Sequence, residues 1–122
     1  MKNKIFKYDF LIVGSGLIGS LAAIALLQKK FKVMVIEKNI SLPNDQRTLA
    51  VNANSRSFLK KIGLWEKLKF EQEPINKILI KDFINKKDLL FENSSESMGS
   101  IIFNNSLLKM ARDILVQKKA IL

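Results

Sequence analysis

The sequence contains neither cysteine nor histidine. Without cysteine, a disulfide framework and a thiolate metal site are both excluded. Without histidine, the chain lacks the usual general base, the serine-type triads and the commonest metal ligand. Any chemistry must therefore come from carboxylates, lysines, backbone amides or a bound cofactor. At 122 residues the chain has the length of one small domain that can bury a core.

Acidic residues are also scarce: the sequence has 11 acidic and 21 basic residues, and the formal net charge is +10. Such a balance can indicate nucleic-acid binding. The arginines, however, are only Arg47, Arg56 and Arg112, and the lysines are scattered rather than clustered with aromatic side chains. We therefore expect solvated lysine-bearing faces and no nucleic-acid partner. A basic surface leaves open a contact with anionic lipid.

Charge is absent from Phe10 to Leu27, "FLIVGSGLIGSLAAIALL". A run of about 18 apolar residues lies at the lower length limit of a membrane-spanning helix. Within it, however, glycines form the pattern G-x-G-x-x-G, after a short aromatic and β-branched segment and before helix-forming residues. A second apolar run, "FKVMVIEK", follows and contains Glu37 near its end. This order predicts strand, glycine turn, helix, strand and acid; a membrane helix with packing glycines and a secretory signal are the alternatives.

Each residue type has a physical role in that arrangement. Gly14 permits a tight turn, Gly16 lets a pyrophosphate approach the backbone, and Gly19 lets the helix lie close to the sheet. Glu37 lies about 20 residues further on, where a carboxylate accepts both hydroxyls of an adenosine ribose. The helix ends in "QKKFK" without a glycine, so a lysine there either adopts a left-handed conformation, at a cost of about 1 kcal/mol, or the connection is looser.

The remaining chain alternates between loops and short elements. Helical spacing from residue 52 to 70 is interrupted at Gly63, and Trp65 belongs to its apolar stripe rather than to a ligand site. The final helix is expected to have Asn104 or Asn105 as its N-cap. The other predicted segments are an exposed loop at 38–47, a half-buried strand at 74–83, a returning strand at 89–93, a short strand at 100–103 and the opening of another strand at 118–122.

Four blocks of the sequence resemble one enzyme family. The segment "YDFLIVGSGLIGSLAAIALLQKKFKVMVIEK" is similar to the start of the FAD-dependent aromatic-ring monooxygenases. The segments "DQRTLAVNANSRSFLKKIGLWEKL", "PINKILIKD" and "MGSIIFNNSLLKMARDIL" resemble, in order, later blocks of the ubiquinone-biosynthesis branch. The glycine pattern is shared with many flavin and nicotinamide proteins, whereas the blocks Asp45–Arg47 and Ile62–Trp65 are more selective.

The resemblance implies an α/β fold: a Rossmann-like FAD-binding βαβ domain with a small β-hairpin insertion. We expect it to occupy residues 1–122 and to be incomplete at the C-terminus, because the family's later D-G and G-D motifs and its substrate domain are absent from the sequence. Asn105 stands where relatives often have a cofactor-contacting arginine or glutamine, so N-capping is the alternative role. The implied cofactor-binding residues are Gly14, Ser15, Gly16, Gly19, Glu37, Lys38, Arg47 and Asn105, with no catalytic and no metal-binding residue.

By the same resemblance, the chain is the FAD-binding part of a monooxygenase that hydroxylates an aromatic quinone precursor in ubiquinone biosynthesis. NAD(P)H is the reductant of the complete enzyme, and the chain alone is expected to be inactive. The implied partners are a complementary C-terminal chain and, in the cytoplasm, the surface of the inner membrane. A small NAD- or adenine-nucleotide-binding module and a non-functional gene remnant are the alternatives.

Overall fold

The structure, a computed structural model, describes residues 5–93 and 95–122, so residues 1–4 and 94 of the predicted domain lie outside it. It divides into two compact units: the described residues up to Gln46 with Asn104–Leu122, and Arg47–Phe103. We call them the first unit and the second unit. The elements in chain order are β1 (Phe10–Val13), α1 (Leu17–Gln28), β2 (Val33–Ile36), β3 (Thr48–Asn52), α2 (Ala53–Lys61), α3 (Trp65–Leu68), β4 (Glu73–Ile75), β5 (Lys77–Asp82), β6 (Lys87–Glu92), β7 (Gly99–Phe103) and α4 (Asn104–Gln117).

The first unit contains the predicted βαβ motif. Strands β1 and β2 are parallel, from the pair Phe10 and Val33 to the pair Val13 and Ile36. The chain end continues the sheet on the other side of β2, because Leu122 N donates to the Val35 carbonyl oxygen at 2.8 Å. Helices α1 and α4 pack against each other. The uncharged stretch is therefore a strand, a turn and a helix, and the predicted strand at 118–122 is confirmed as a bridge to β2.

Helix α1 is apolar on most of its surface, and its small residues allow close packing. Ser20 and Ala23 are fully buried, and Ile24 is nearly so. Of the two expected ways to connect α1 to β2, the structure has the one with a left-handed lysine, because Lys30 has a φ of 68°. Across the described parts of the chain, no helix combines the length and the apolar character that crossing a bilayer requires.

The second unit contains a three-stranded antiparallel sheet with β7 between β3 and β4. Helices α2 and α3 accompany it, and Leu64 and Leu68 are fully buried. Gly63 has a φ of 79° and separates the two helices, which confirms the predicted interruption. Trp65 is buried, as expected for a core residue. Strand β3 was not predicted, because its partner β7 is distant in the sequence.

The predicted hairpin is present as β5 and β6, which pair from Lys77 with Glu92 to Asp82 with Lys87. Two expectations about this region are wrong. The strand from Pro74 is not continuous, since β4 pairs with β7 whereas β5 pairs only with β6. It is also not half-buried, because nearly every residue of both hairpin strands is exposed. Alternation of residue types therefore predicted the strands but not which face is covered.

Candidate functional site

The glycine turn connects β1 to α1 in the first unit. Gly14 has a φ of 96°, a conformation that favours glycine, and its N–H donates to the Ile36 carbonyl oxygen at 2.7 Å. Gly16 precedes α1 as its N-cap and has no side chain to bond the helix. A Cβ atom placed on Gly14 or Gly16 would meet nothing within 4 Å, so open space lies beside the turn. The first N–H groups of a helix have no intrahelical acceptor, and an anion can approach them there.

Gly19 has the opposite surroundings. A Cβ atom on it would overlap the Gly14 carbonyl oxygen and would lie 3.3 Å from Cγ2 of Ile12. The helix therefore packs directly on the end of β1, and only glycine fits. The structure shows the positive φ at Gly14, the open space beside Gly16 and the close packing at Gly19. Contact of these glycines with a cofactor stays a prediction.

Glu37 follows β2 and turns its carboxylate to the glycine turn. Its Oε2 accepts hydrogen bonds from Ser15 N at 2.6 Å and Ser15 Oγ at 3.0 Å. Its Oε1 accepts one from Asn39 N at 3.0 Å. The bond from Asn39 N, followed by those from Ser15, lowers the pKa of Glu37 from 4.5 to about 2. The carboxylate is therefore anionic at neutral pH, and it lies beside the turn as the ribose-binding role requires.

The acceptor capacity of Glu37 refines that role. A carboxylate has about four acceptor positions, and three of those on Glu37 are used by Ser15 and Asn39. One position is left for a ligand hydroxyl. A second ribose hydroxyl can be accepted only when the Ser15 hydroxyl group, which is free to rotate, turns away from Oε2.

Arg112 of α4 completes this cluster, and the sequence analysis did not select it. Arg112 is only 8% exposed to solvent. Its Nε donates to the Ser15 carbonyl oxygen at 3.0 Å, and its Nη1 donates to those of Ile40 at 2.9 Å and Ser41 at 2.8 Å. Its Nη2 lies 3.8 Å from Oε2 of Glu37. The available signal was helical spacing, because Arg112 falls on the buried face that α4 forms with Leu108 and Leu115.

The two asparagines at the start of α4 bind the loop after β2. Asn105 Nδ2 donates to the carbonyl oxygens of Pro43 and Asp45, both at 2.8 Å. Asn104 Nδ2 donates to the Asp45 carboxylate at 3.1 Å. The predicted N-cap is wrong, because α4 already begins at Asn104 and neither asparagine precedes its first residue. Within the described residues, Oδ1 of Asn105 is buried without a hydrogen-bond partner, so this amide retains an acceptor.

The structure thus brings Gly14, Ser15, Gly16 and Glu37 together. Lys38 is the exposed neighbour of Glu37 in the chain. Asn105 contacts the same loop that Arg112 contacts, at other carbonyl groups. Arg47 belongs to the second unit and directly precedes β3. The cofactor contacts of Lys38, Arg47 and Asn105 stay predictions.

Residues 7–113 match the FAD-binding domain family. The chain belongs to this family. The ubiquinone biosynthesis monooxygenase COQ6 of Dictyostelium discoideum, a mitochondrial protein, is 28% identical over 128 residues, which cover 84% of this chain and 26% of that protein. The ubiquinone hydroxylase UbiL of Rhodospirillum rubrum is 38% identical over 79 residues, which cover 61% of this chain and 18% of that protein. The predicted FAD-binding family and FAD as its cofactor are confirmed, and both relatives belong to the predicted ubiquinone-biosynthesis branch.

Solved structures share the fold. The flavin-dependent brominase Bmp2 superposes with a TM-score of 0.71 at 21% identity, over 90% of this chain and 27% of its own. HpxO of Klebsiella pneumoniae, complexed with FAD and uric acid, superposes with a TM-score of 0.70 at 17% identity, over 92% of this chain and 29% of its own. The predicted Rossmann-like α/β fold is thus confirmed. The chain spans about a quarter of the length of COQ6 and less of UbiL.

Proposed function

We propose that this chain binds the ADP part of FAD for a monooxygenase that hydroxylates an aromatic quinone precursor in ubiquinone biosynthesis. The observation that carries the proposal is the glycine turn with Glu37 bonded to Ser15, because a carboxylate beside the N-terminus of α1 is what binding of an adenosine ribose requires. The likeness to COQ6 and UbiL supports the reaction and the substrate class.

The residues present fit this group. Open space beside Gly14 and Gly16 leaves room for a diphosphate, and the positive end of the α1 dipole favours an anion there. Glu37 is anionic and has an acceptor position for ribose. FAD, when bound, supplies the redox chemistry by which such enzymes use NAD(P)H and oxygen to hydroxylate a ring. The chain's own contribution is to bind and orient the adenosine end of the cofactor.

Hydroxylation is proposed to need a C-terminal portion that encloses the substrate, either on the same polypeptide or on a complementary chain. The small share of the relatives that this chain covers supports that requirement. We further propose a cytoplasmic location with peripheral contact to an anionic membrane surface and no nucleic-acid partner. The net charge of +10 supports the membrane contact, and the dispersal of the lysines supports the absence of a nucleic-acid partner.

Titration of the full chain with FAD, FMN, NAD and ADP tests cofactor binding. FAD and ADP are expected to bind more tightly than FMN, and FAD more tightly than NAD. Gly16→Ala should keep the thermal unfolding midpoint, because its Cβ enters open space, and should weaken FAD binding about tenfold, because that space receives the diphosphate. Ser57→Ala, at an exposed position of α2, is the matched control.

Two results would contradict the proposal. A clear preference for NAD would favour the small nucleotide-binding module. The absence of a cooperative thermal transition, even with excess FAD, would favour the non-functional remnant. Restored ring hydroxylation on mixing with a C-terminal counterpart would support the split form of the enzyme.

A further inference from the structure

Two backbone segments of the first unit meet at the guanidinium group of Arg112. It donates to the glycine turn at Ser15 and to the loop after β2 at Ile40 and Ser41. We propose that Arg112 is a positioning residue, which orients the Glu37 carboxylate toward the ribose hydroxyls of an adenine nucleotide by fixing both backbone segments that bond this carboxylate. The inference rests on the proposed binding of the ADP part of FAD.

Arg112 bonds the same two backbone segments that donate hydrogen bonds to Glu37. Glu37 accepts hydrogen bonds from the N–H groups of Ser15 and Asn39. Arg112 bonds the carbonyl group of Ser15 itself on one side. On the other side it bonds the carbonyl groups directly after Asn39. Both backbone donors to the carboxylate are therefore attached to segments that one planar guanidinium group holds.

The opposite charges of Arg112 and Glu37 also favour this arrangement. A buried cation is costly unless it is hydrogen-bonded and paired. Arg112 donates to three carbonyl oxygens and lies 3.8 Å from the Glu37 carboxylate. It thus offsets part of the negative charge that Glu37 brings to the turn where a diphosphate is proposed to bind.

The contacts require arginine rather than any cation. Nε and Nη1 of one planar group donate at the same time to two different segments. A lysine ammonium is a single point of charge on a flexible stem and cannot present that fixed set of donors. Lys at position 112 would keep the charge and lose the simultaneous contacts.

A purely structural arginine, which only attaches α4 to the turn, is the competing explanation. The two explanations differ in what happens to the discrimination between ADP and 2′,3′-dideoxy-ADP. General weakening of the fold lowers the affinity for both nucleotides alike and leaves their ratio unchanged. Loss of Glu37 orientation removes the preference for the nucleotide that has ribose hydroxyls.

The experiment compares the full chain with Arg112→Lys, Arg112→Met and the control Lys109→Met. Lys109 lies on the same helix in an exposed ion pair with Asp113, so the control removes an equal charge. Wild type and control are expected to prefer ADP over 2′,3′-dideoxy-ADP about tenfold, the effect of a hydrogen bond to a charged group. Both Arg112 variants should bind the two nucleotides nearly equally. An unchanged ratio in Arg112→Lys would overturn the proposal.

A second measurement needs no ligand. Carbon-13 NMR titration of the Glu37 carboxyl group should show its pKa rising from about 2 toward 4.5 in Arg112→Lys and staying low in Lys109→Met. An unchanged pKa in the folded Arg112→Lys protein would also contradict the positioning role. If wild type binds no ADP, the proposed function fails, and this titration still decides whether Arg112 positions Glu37.

Discussion

Glu37 in the first unit and Asp82 in the second unit each accept hydrogen bonds from two backbone N–H groups. Glu37 binds at the glycine turn of the first unit, and Asp82 binds at the hairpin turn of the second. Asp82 Oδ1 accepts from Ile84 N at 2.9 Å and Asn85 N at 3.1 Å, and its Oδ2 accepts from Asn85 Nδ2 at 2.7 Å. Hydrogen bonds from Asn85, then from Ile84, lower the pKa of Asp82, as those from Asn39 and Ser15 do for Glu37.

The two carboxylates differ in where their donors come from. All donors to Asp82 lie within three residues of it in the chain. Ser15, in contrast, is 22 residues from Glu37, so its bond forms only after β1, α1 and β2 have assembled. A lowered pKa therefore does not by itself identify a functional site. Glu37 combines a long-range donor with a nearby buried arginine and lies next to a turn that borders open space, and these features together make it the candidate binding residue.

The largest expected effect comes from a substitution that disturbs the packing of α1 on β1, next to the turn that Glu37 contacts. In Gly19→Ala the added Cβ overlaps the Gly14 carbonyl oxygen, so the helix must move off β1 and the turn must shift. We expect the free energy of unfolding to fall by about 3 kcal/mol, the upper range for overpacking. Chemical denaturation measures it. Ile84→Ala at the exposed hairpin turn is the comparison and should change it little. Equal losses would show that the glycine contact is not tight.

The next prediction exchanges each carboxylate for its amide. Glu37→Gln should lower the ADP affinity about tenfold, because a hydrogen bond to a charged acceptor is lost, and should lower the thermal midpoint by weakening the bonds from Ser15 and Asn39. Asp82→Asn should leave ADP affinity unchanged and lower the midpoint less, because its turn is local and exposed. Calorimetric titration and thermal scans measure both. A similar loss of ADP affinity in the two variants would remove the distinction between the carboxylates.

The free energy of unfolding should depend on the ionisation of Glu37 at acidic pH. The pKa of Glu37 is about 2 in the folded protein and 4.5 ordinarily, so below pH 4.5 the unfolded chain binds the proton more readily. The stabilisation is fully present above pH 4.5 and is lost as the pH falls toward 2. Urea denaturation at a series of pH values should show a shallower decline for Glu37→Gln, with Asp82 contributing to what remains. An identical decline in wild type and Glu37→Gln would contradict a pKa of about 2 for Glu37 in the folded protein.

Local patterns predicted much of the fold and part of the site. The glycine spacing with Glu37 predicted the βαβ motif and the approach of this carboxylate to the turn, because both belong to one continuous strand–helix–strand segment with a characteristic residue pattern. The lysine ending of α1 left open a left-handed residue or a looser connection, and the structure has the left-handed residue at Lys30. Gly63 predicted the break between two helices. In each case a short stretch contains the whole physical reason.

Features that depend on distant segments were not predicted. Strand β3 exists because Thr48–Asn52 pairs with β7 about half the chain away. Arg112 is buried because carbonyl groups of Ser15 and Ile40 converge on it, and helical spacing alone gives no sign of these distant partners. The exposed faces of β5 and β6 follow from what does or does not pack on them, which alternation cannot specify.

The smallest expected effect concerns one lysine in each region. Lys30 has a φ of 68° and Lys86, in the hairpin turn, a φ of 53°. Glycine relieves this conformation but adds freedom to the unfolded chain, so Lys30→Gly should raise the free energy of unfolding by about 0.5 kcal/mol. Lys86→Gly should leave the global value unchanged and slow hydrogen exchange of the hairpin amides, because strands exposed on both faces open locally. An equal global gain from Lys86→Gly would instead show that the hairpin unfolds together with the buried sheet.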